Sequence, residues 1–137
     1  MTTEYASLRQ KIAAEKIERA ERYAHFEKVW AQAVEAGFKA FDECVPRVMT
    51  LTSGGHEYRV EDGPCGFAWV KLVKGNTSFA KWASKKGIFR RSYNGGMDHW
   101  IGGMSQSHDR KRAMAQAIAN TLQRELDLQV YADSRLD

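Results

Sequence analysis

The chain of 137 residues has only two prolines, Pro46 and Pro64, and neither lies in the first 45 residues, where glycine is also missing until Gly37. Nothing in that stretch therefore breaks a helix. Cysteine is as scarce. Cys44 and Cys65 alone cannot form the disulfide framework of a small secreted domain, so reduced thiols in a cytoplasmic setting are the expectation. Residues 1–10 lack the apolar segment of a signal peptide, and no run approaches the 18 or so apolar residues of a membrane helix. Acidic residues are absent from Lys71 to Arg91, which holds Lys71, Lys74, Lys81, Lys85, Lys86, Arg90 and Arg91.

That gap shapes the charge distribution. Residues 1–45 carry 7 basic and 8 acidic side chains, residues 46–112 carry 12 and 5, and residues 113–137 carry 2 and 4. The net charge of +4 is mild, but the positive charge is concentrated in the middle of the chain. Hydrophobic residues at 43% and charged residues at 28% suit one globular domain with its own core.

Ala, Glu, Lys and Arg dominate residues 1–45 and predict helix, in one piece or two. Phe26, Val29, Trp30, Ala33, Gly37, Ala40, Phe41 and Cys44 recur at three- and four-residue spacings and define a buried stripe. Before them, Tyr5, Leu8 and Ile12 form a short stripe that Glu15, Lys16 and Arg19 interrupt. Residues 1–24 are thus expected to form a projecting arm, either solvated or paired with another chain as a homo-oligomer. Strands are predicted at 48–51, 57–61, 67–73, 88–93, 97–101 and, as a short edge, 128–131, with turns at Thr52–Gly55, Asp62–Pro64 and Asn94-Gly95. Residues 67–73 alternate between two apolar faces and mark a central strand. A short helix is expected from Ser78 to Gly87, and a long one over 108–126, capped by Ser107, from Met114, Ile118, Leu122 and Leu126. The expected fold is α+β: a long N-terminal helix, a three- or four-stranded antiparallel sheet, and a short and a long C-terminal helix on one face. The body spans residues 25–132, and residues 133–137 read as a polar tail.

Four kinds of chemistry are candidates. First, the Lys71–Arg91 cations are interleaved with Trp69, Phe79, Trp82, Phe89, Tyr93 and Trp100. Cations neutralise phosphates and exposed rings stack on bases, so Lys71, Lys74, Lys81, Lys85, Lys86, Arg90 and Arg91, with Trp82 or Tyr93 for stacking, form a candidate surface for an acidic macromolecule. The alternative is that the rings are core and the lysines a solvated face. No ribonucleoprotein signature, paired Cys/His finger or GxxG clamp accompanies them. Second, Gly102-Gly103 runs into a helix start with Ser105, Ser107, Arg110, Lys111 and Arg112 nearby. Free amides there favour an anion, while cations in a first helical turn are locally unfavourable unless paired. Third, Cys65 sits between Pro64 and Gly66, and His99, His56 or His108 could act as its base. Asp98 cannot orient His99, because neighbours on a strand face opposite ways. A cysteine before a core strand is otherwise simply structural. Fourth, His25, His56, His99, His108, Cys44 and Cys65 show no zinc-site spacing, and no metal or cofactor is expected.

Gly63-Pro-Cys-Gly-Phe-Ala-Trp-Val70, Tyr93-Asn-Gly-Gly96 followed by Trp100, Ser105-Gln-Ser107 and Ser134-Arg-Leu-Asp137 together resemble small uncharacterised accessory proteins encoded by tailed bacteriophages. The resemblance covers Gly63 onward and brings no assigned activity. It implies a binding module acting in a host cell, since such proteins often bind nucleic acid or inhibit a host defence protein. The leading expectation is a small regulatory protein binding DNA, RNA or an acidic host protein through the central basic segment. Contact inhibition of a host protein and Cys65-dependent catalysis are the alternatives.

Overall fold

The structure is a computed structural model and describes residues 3–103 and 105–137. One uninterrupted helix, α1 (Thr3–Glu43), opens the chain. Thr3–Arg22 are exposed on every side. Strong helix formers and the pairs Glu15–Arg19 and Glu18–Arg22, each four residues apart with the acid first, favour helix there. The packed half of α1 supplies the nucleus from which the exposed half propagates. From Tyr23 onward one stripe is covered, with Phe26, Val29, Ala33 and Gly37 buried. At Gly37 a Cβ would lie 3.0 Å from both Ile118 Cγ1 and Met114 Cγ, so glycine sets how closely α1 approaches the last long helix.

Beyond α1, β1 (Met49–Ser53) and β2 (His56–Val60) form a two-stranded antiparallel ribbon of their own, turned by Gly54 and Gly55 at φ 59° and 83°. Both strands are largely exposed. Its root is tied down. Arg47 donates to Asp109 from its backbone N (2.8 Å), Nε (3.1 Å) and a terminal guanidinium nitrogen (2.9 Å). Gly63, at φ 72°, lies so close to the Arg47 carbonyl that a Cβ would stand 2.2 Å from that oxygen.

The second sheet has the order β4-β5-β3-β6, antiparallel throughout: β3 (Gly66–Leu72), β4 (Arg90–Arg91), β5 (Met97–Trp100) and β6 (Val130–Leu136). Between β3 and β4 lies α2 (Ser78–Lys85), capped by Thr77, whose hydroxyl accepts from Ala80 N at 3.1 Å. Between β5 and β6 lies α3 (His108–Leu126), with Ser107 as its cap and Asp127 in the left-handed region (φ 51°) at its end. The expected architecture is present, helices on one face included. No described helix is long and apolar enough to cross a membrane.

One expectation needs correction. The polar tail is not a tail: Asp133–Leu136 complete β6 against β3, with Ser134 opposite Ala68 and Arg135 opposite Phe67. Its residues are polar because β6 is an edge strand whose odd-numbered side chains point away from the core. β3 is the central strand expected, between β5 and β6, and its two faces differ. Gly66, Ala68, Val70 and Leu72 are buried, whereas Phe67, Trp69 and Lys71 are only partly so, because the helices form a single layer.

The core joins that layer to the sheet. Phe26 meets Phe79 edge-on at 5.4 Å between ring centres and Trp82 at 5.8 Å, and Phe89 closes on Phe79 at 6.0 Å. Trp82 is 4% exposed, so it belongs to the core and is not a stacking surface. Trp82→Ala is expected to cost about 3–5 kcal/mol of folding stability, measured by urea denaturation. At the ribbon root, the Arg47 guanidinium holds the Asp109 carboxyl well below the usual carboxylate range, chiefly by its side-chain hydrogen bond. A depressed folded value stabilises above the unfolded pKa of about 3.9 and is lost as pH falls below it. Arg47→Ala should therefore be less stable than the parent at neutral pH, and denaturation midpoints should show the gap closing as pH drops below that value.

Candidate functional site

Residues directly opposite each other on neighbouring strands share a face. Since Phe67, Trp69 and Lys71 point away from the helices, register fixes the rest of the open face. Arg135 stands beside Phe67. Trp69 has Trp100 on one side and Asp133 on the other. Lys71 has Asp98 and then Arg90 on one side and Tyr131 on the other.

Trp69 and Trp100 are stacked, with centroids 4.5 Å apart and planes at 27°. Phe67 meets Trp100 edge-on at 6.2 Å, and the Arg135 guanidinium lies 5.2 Å over the Phe67 ring. Trp100 is 48% exposed and Tyr131 46%. Lys71 Nζ lies 3.4 Å from Asp98 Oδ1 and also donates to the Gly95 carbonyl. Asp98 Oδ1 is buried and has no hydrogen bond, although it faces that ammonium. The face is thus a row of large rings edged by cations and two carboxylates, Asp98 and Asp133.

The β4–β5 hairpin borders this face. Ser92 N donates to Gly96 O (3.0 Å), closing a loop of Tyr93, Asn94 and Gly95. Gly95 and Gly96 have φ 91° and 65°, and a Cβ on Gly96 would lie 2.2 Å from the Leu72 carbonyl oxygen, so the second glycine lets the hairpin close on β3. Tyr93 at the tip is fully exposed. Behind the hairpin, α2 presents Lys81 and Lys85 across a groove of about 850 Å³ from Arg91.

The basic segment is therefore divided. Lys71 and Arg90 belong to the open face, Lys81 and Lys85 to the groove, and Arg91 lines both. Lys74 lies elsewhere, beside Thr77 and Asp127, and Lys86 is paired with Glu27 at 3.2 Å. Phe79 and Phe89 join Trp82 in the core.

Most of the helix-entry residues are engaged within the protein, in keeping with the alternative of paired cations. Ser107 is buried, and its hydroxyl donates to Asp62 O (2.7 Å) while accepting from Arg110 N (3.4 Å). Ser105 Oγ accepts from Ser107 N (3.0 Å). Arg110 donates to the Asp62 carboxylate (3.3 Å) and to the Phe41 carbonyl (3.0 Å) in the last turn of α1, where a cation opposes the negative helix end. Lys111 is buried and donates to Gly66 O (3.2 Å). Arg112 is exposed.

Cys65 and His99 are not brought together either. His99 is opposite Val70, five residues along β3 from Cys65, a separation of roughly 16 Å at the strand rise. It also faces the helices, with Nδ1 2.7 Å from Ile88 O and Trp30 and Phe89 centred 5.0 and 5.6 Å from its ring. Exposed Cys65 bridges Ser107 through its backbone, while the adjacent His108 is buried with Nδ1 3.4 Å from Asp109 Oδ1. His56 lies on the ribbon, opposite Ser53. Among the described residues, no three His, Cys, Asp or Glu side chains cluster as metal ligands.

No protein-family model, curated protein or solved structure matches this chain.

Sequence reasoning missed Phe67, Tyr131, Asp133 and Arg135 as part of a surface. The available signal was parity: Phe67, Trp69 and Lys71 are odd-numbered, and an odd-numbered lysine marks that side of the strand as the wet one. Burial pushes the His99 pKa down, against the hydrogen bond to Ile88. A histidine kept neutral in the fold makes stability decline as pH falls from about 6.5 toward its folded value. Denaturant titrations should show that decline, and it should be shallower in His99→Gln.

Proposed function

We propose that the protein binds single-stranded nucleic acid across the open face of its four-stranded sheet. The observation that carries this reading is the row Phe67–Trp69–Trp100, with Tyr131 beside it, on the side of the sheet opposite the helices. The stacked indoles stabilise the β3–β5 pair, and as a contiguous, partly exposed row they also offer ring faces on which bases can stack. Four-stranded sheets that present rings from central strands accept unstacked bases on them. Arg135 and Arg90 at the margins supply positive charge for phosphates, while Asp133 and Asp98 offer acceptors to base amino groups. A duplex hides its base faces, so this geometry favours single strands.

The ribbon favours a second reading, contact with a protein. One of its faces carries Met49, Leu51, Tyr58 and Val60, with Leu51 47% and Tyr58 54% exposed and Val48 nearby. Inhibition of a host protein, as the phage resemblance implies, would use that face and leave nucleic acid unbound.

Fluorescence anisotropy with labelled single- and double-stranded DNA and RNA separates the two. Single strands should bind more tightly than duplexes, and binding should weaken with salt. Trp100→Ala should reduce affinity roughly 5- to 150-fold, the equivalent of one lost stack. Absence of binding at low salt would remove the nucleic-acid reading and direct attention to the ribbon, whereas a Trp100→Ala protein with unchanged affinity would remove the open face as the site.

A further inference from the structure

The open face and the groove behind the β4–β5 hairpin share Arg91, Ser92 and Tyr93, so the hairpin is a ridge between two adjoining clefts. Their chemistry differs. The open face combines rings with two carboxylates, whereas the groove is lined by Lys81, Lys85 and Arg91 and by no carboxylate. Lys81 and Lys85 are four residues apart on α2, on the side opposite its buried Phe79, Trp82 and Ala83. Like charges at that spacing repel. Arg91 faces them from the hairpin, and among the described residues none of the three forms an ion pair, while the adjacent Lys86 is already held by Glu27. A concave surface with cations of one sign concentrates an anionic ligand.

We infer that this groove receives the phosphodiester backbone of the same strand whose bases lie on the open face, the strand crossing the ridge at Tyr93. The inference rests on the nucleic-acid reading and extends the binding site around the hairpin. It divides the work: indoles hold bases on one side, and ammonium and guanidinium groups hold phosphates on the other. Tyr93 is fully exposed on the ridge and offers a ring to a base at the crossing. The binding site is therefore longer than the sheet face alone, and affinity rises with strand length until the groove is filled.

The test is anisotropy of the full chain with labelled oligothymidylates of about 4 and about 12 nucleotides, lengths that separate partial from full occupancy of such a surface. The variant is Lys81→Gln/Lys85→Gln/Arg91→Gln, which removes charge at exposed positions and keeps a flexible polar side chain at each. Its fold is checked by circular dichroism. The expected result is a loss of about tenfold or more for the long oligomer, little change for the short one, and a salt slope for the long oligomer reduced by about 2, three phosphate contacts at roughly 0.7 each. Tyr93→Ala should likewise weaken the long oligomer more than the short one. An unchanged affinity for the long oligomer, or an equal loss at both lengths, overturns the groove assignment. The open-face reading fails separately: if Trp100→Ala binds normally while the triple variant does not, the groove alone is the binding site. If Trp100→Ala loses binding and the triple variant does not, the open face stands without the groove.

Discussion

The parity of β3 governs the rest of the structure. Gly66, Ala68, Val70 and Leu72 must face the helices, and two of these four are small enough to bring the helical layer close. At Gly66 a Cβ would stand 2.6 Å from the Arg135 carbonyl oxygen and 2.8 Å from His108 Cβ, so even one carbon is too many. Because side chains alternate strictly along a strand, this packing leaves no choice for Phe67, Trp69 and Lys71. Register then carries the choice outward to Trp100 and Asp98 on β5 and to Tyr131, Asp133 and Arg135 on β6. The open face is the direct counterpart of the core, not an addition to it.

A second constraint acts where α1, the ribbon and α3 meet. A helix start leaves its first backbone amides without intrahelical partners, and at α3 a run of cations follows, which in isolation suggests a ligand site. The protein uses most of those groups itself. Asp109 in the first turn holds Arg47, Arg110 reaches back to Asp62 and Phe41, Lys111 reaches Gly66, and Ser107 bonds Asp62. The unfavourable placement of cations at a helix start is offset by carboxylates and carbonyls from three other segments. That arrangement fixes where the exposed ribbon leaves the body.

Most of the fold was legible because its signals are local. The stripe in α1, the Ser107 cap and four-residue repeat of α3, and the turns at Gly54-Gly55 and Gly95-Gly96 all follow from spacing and glycine conformation. The extent of β6 was not, because Asp133, Ser134 and Arg135 are an edge strand's residues and read as a tail until their pairing with β3 is known. The candidate site was legible only in part. Seven cations without an acid among them stand out in the sequence, but their division between a sheet face, a groove and an ion pair depends on long-range pairing. Likewise Trp69, Trp82 and Trp100 are equivalent as letters. Only the helix α2 turns Trp82 inward, and only the sheet turns the other two outward.

The exposed half of α1 also has a hydrodynamic consequence. Thr3–Arg22 form a rod of roughly 30 Å, about the width of a small domain. A particle with such an extension does not tumble as a sphere: rotation about the rod axis is faster than rotation end over end. The rod also sweeps out a volume that neighbouring molecules must avoid, so copies crowded along one polymer would be spaced by their shape before any attraction between them came into play.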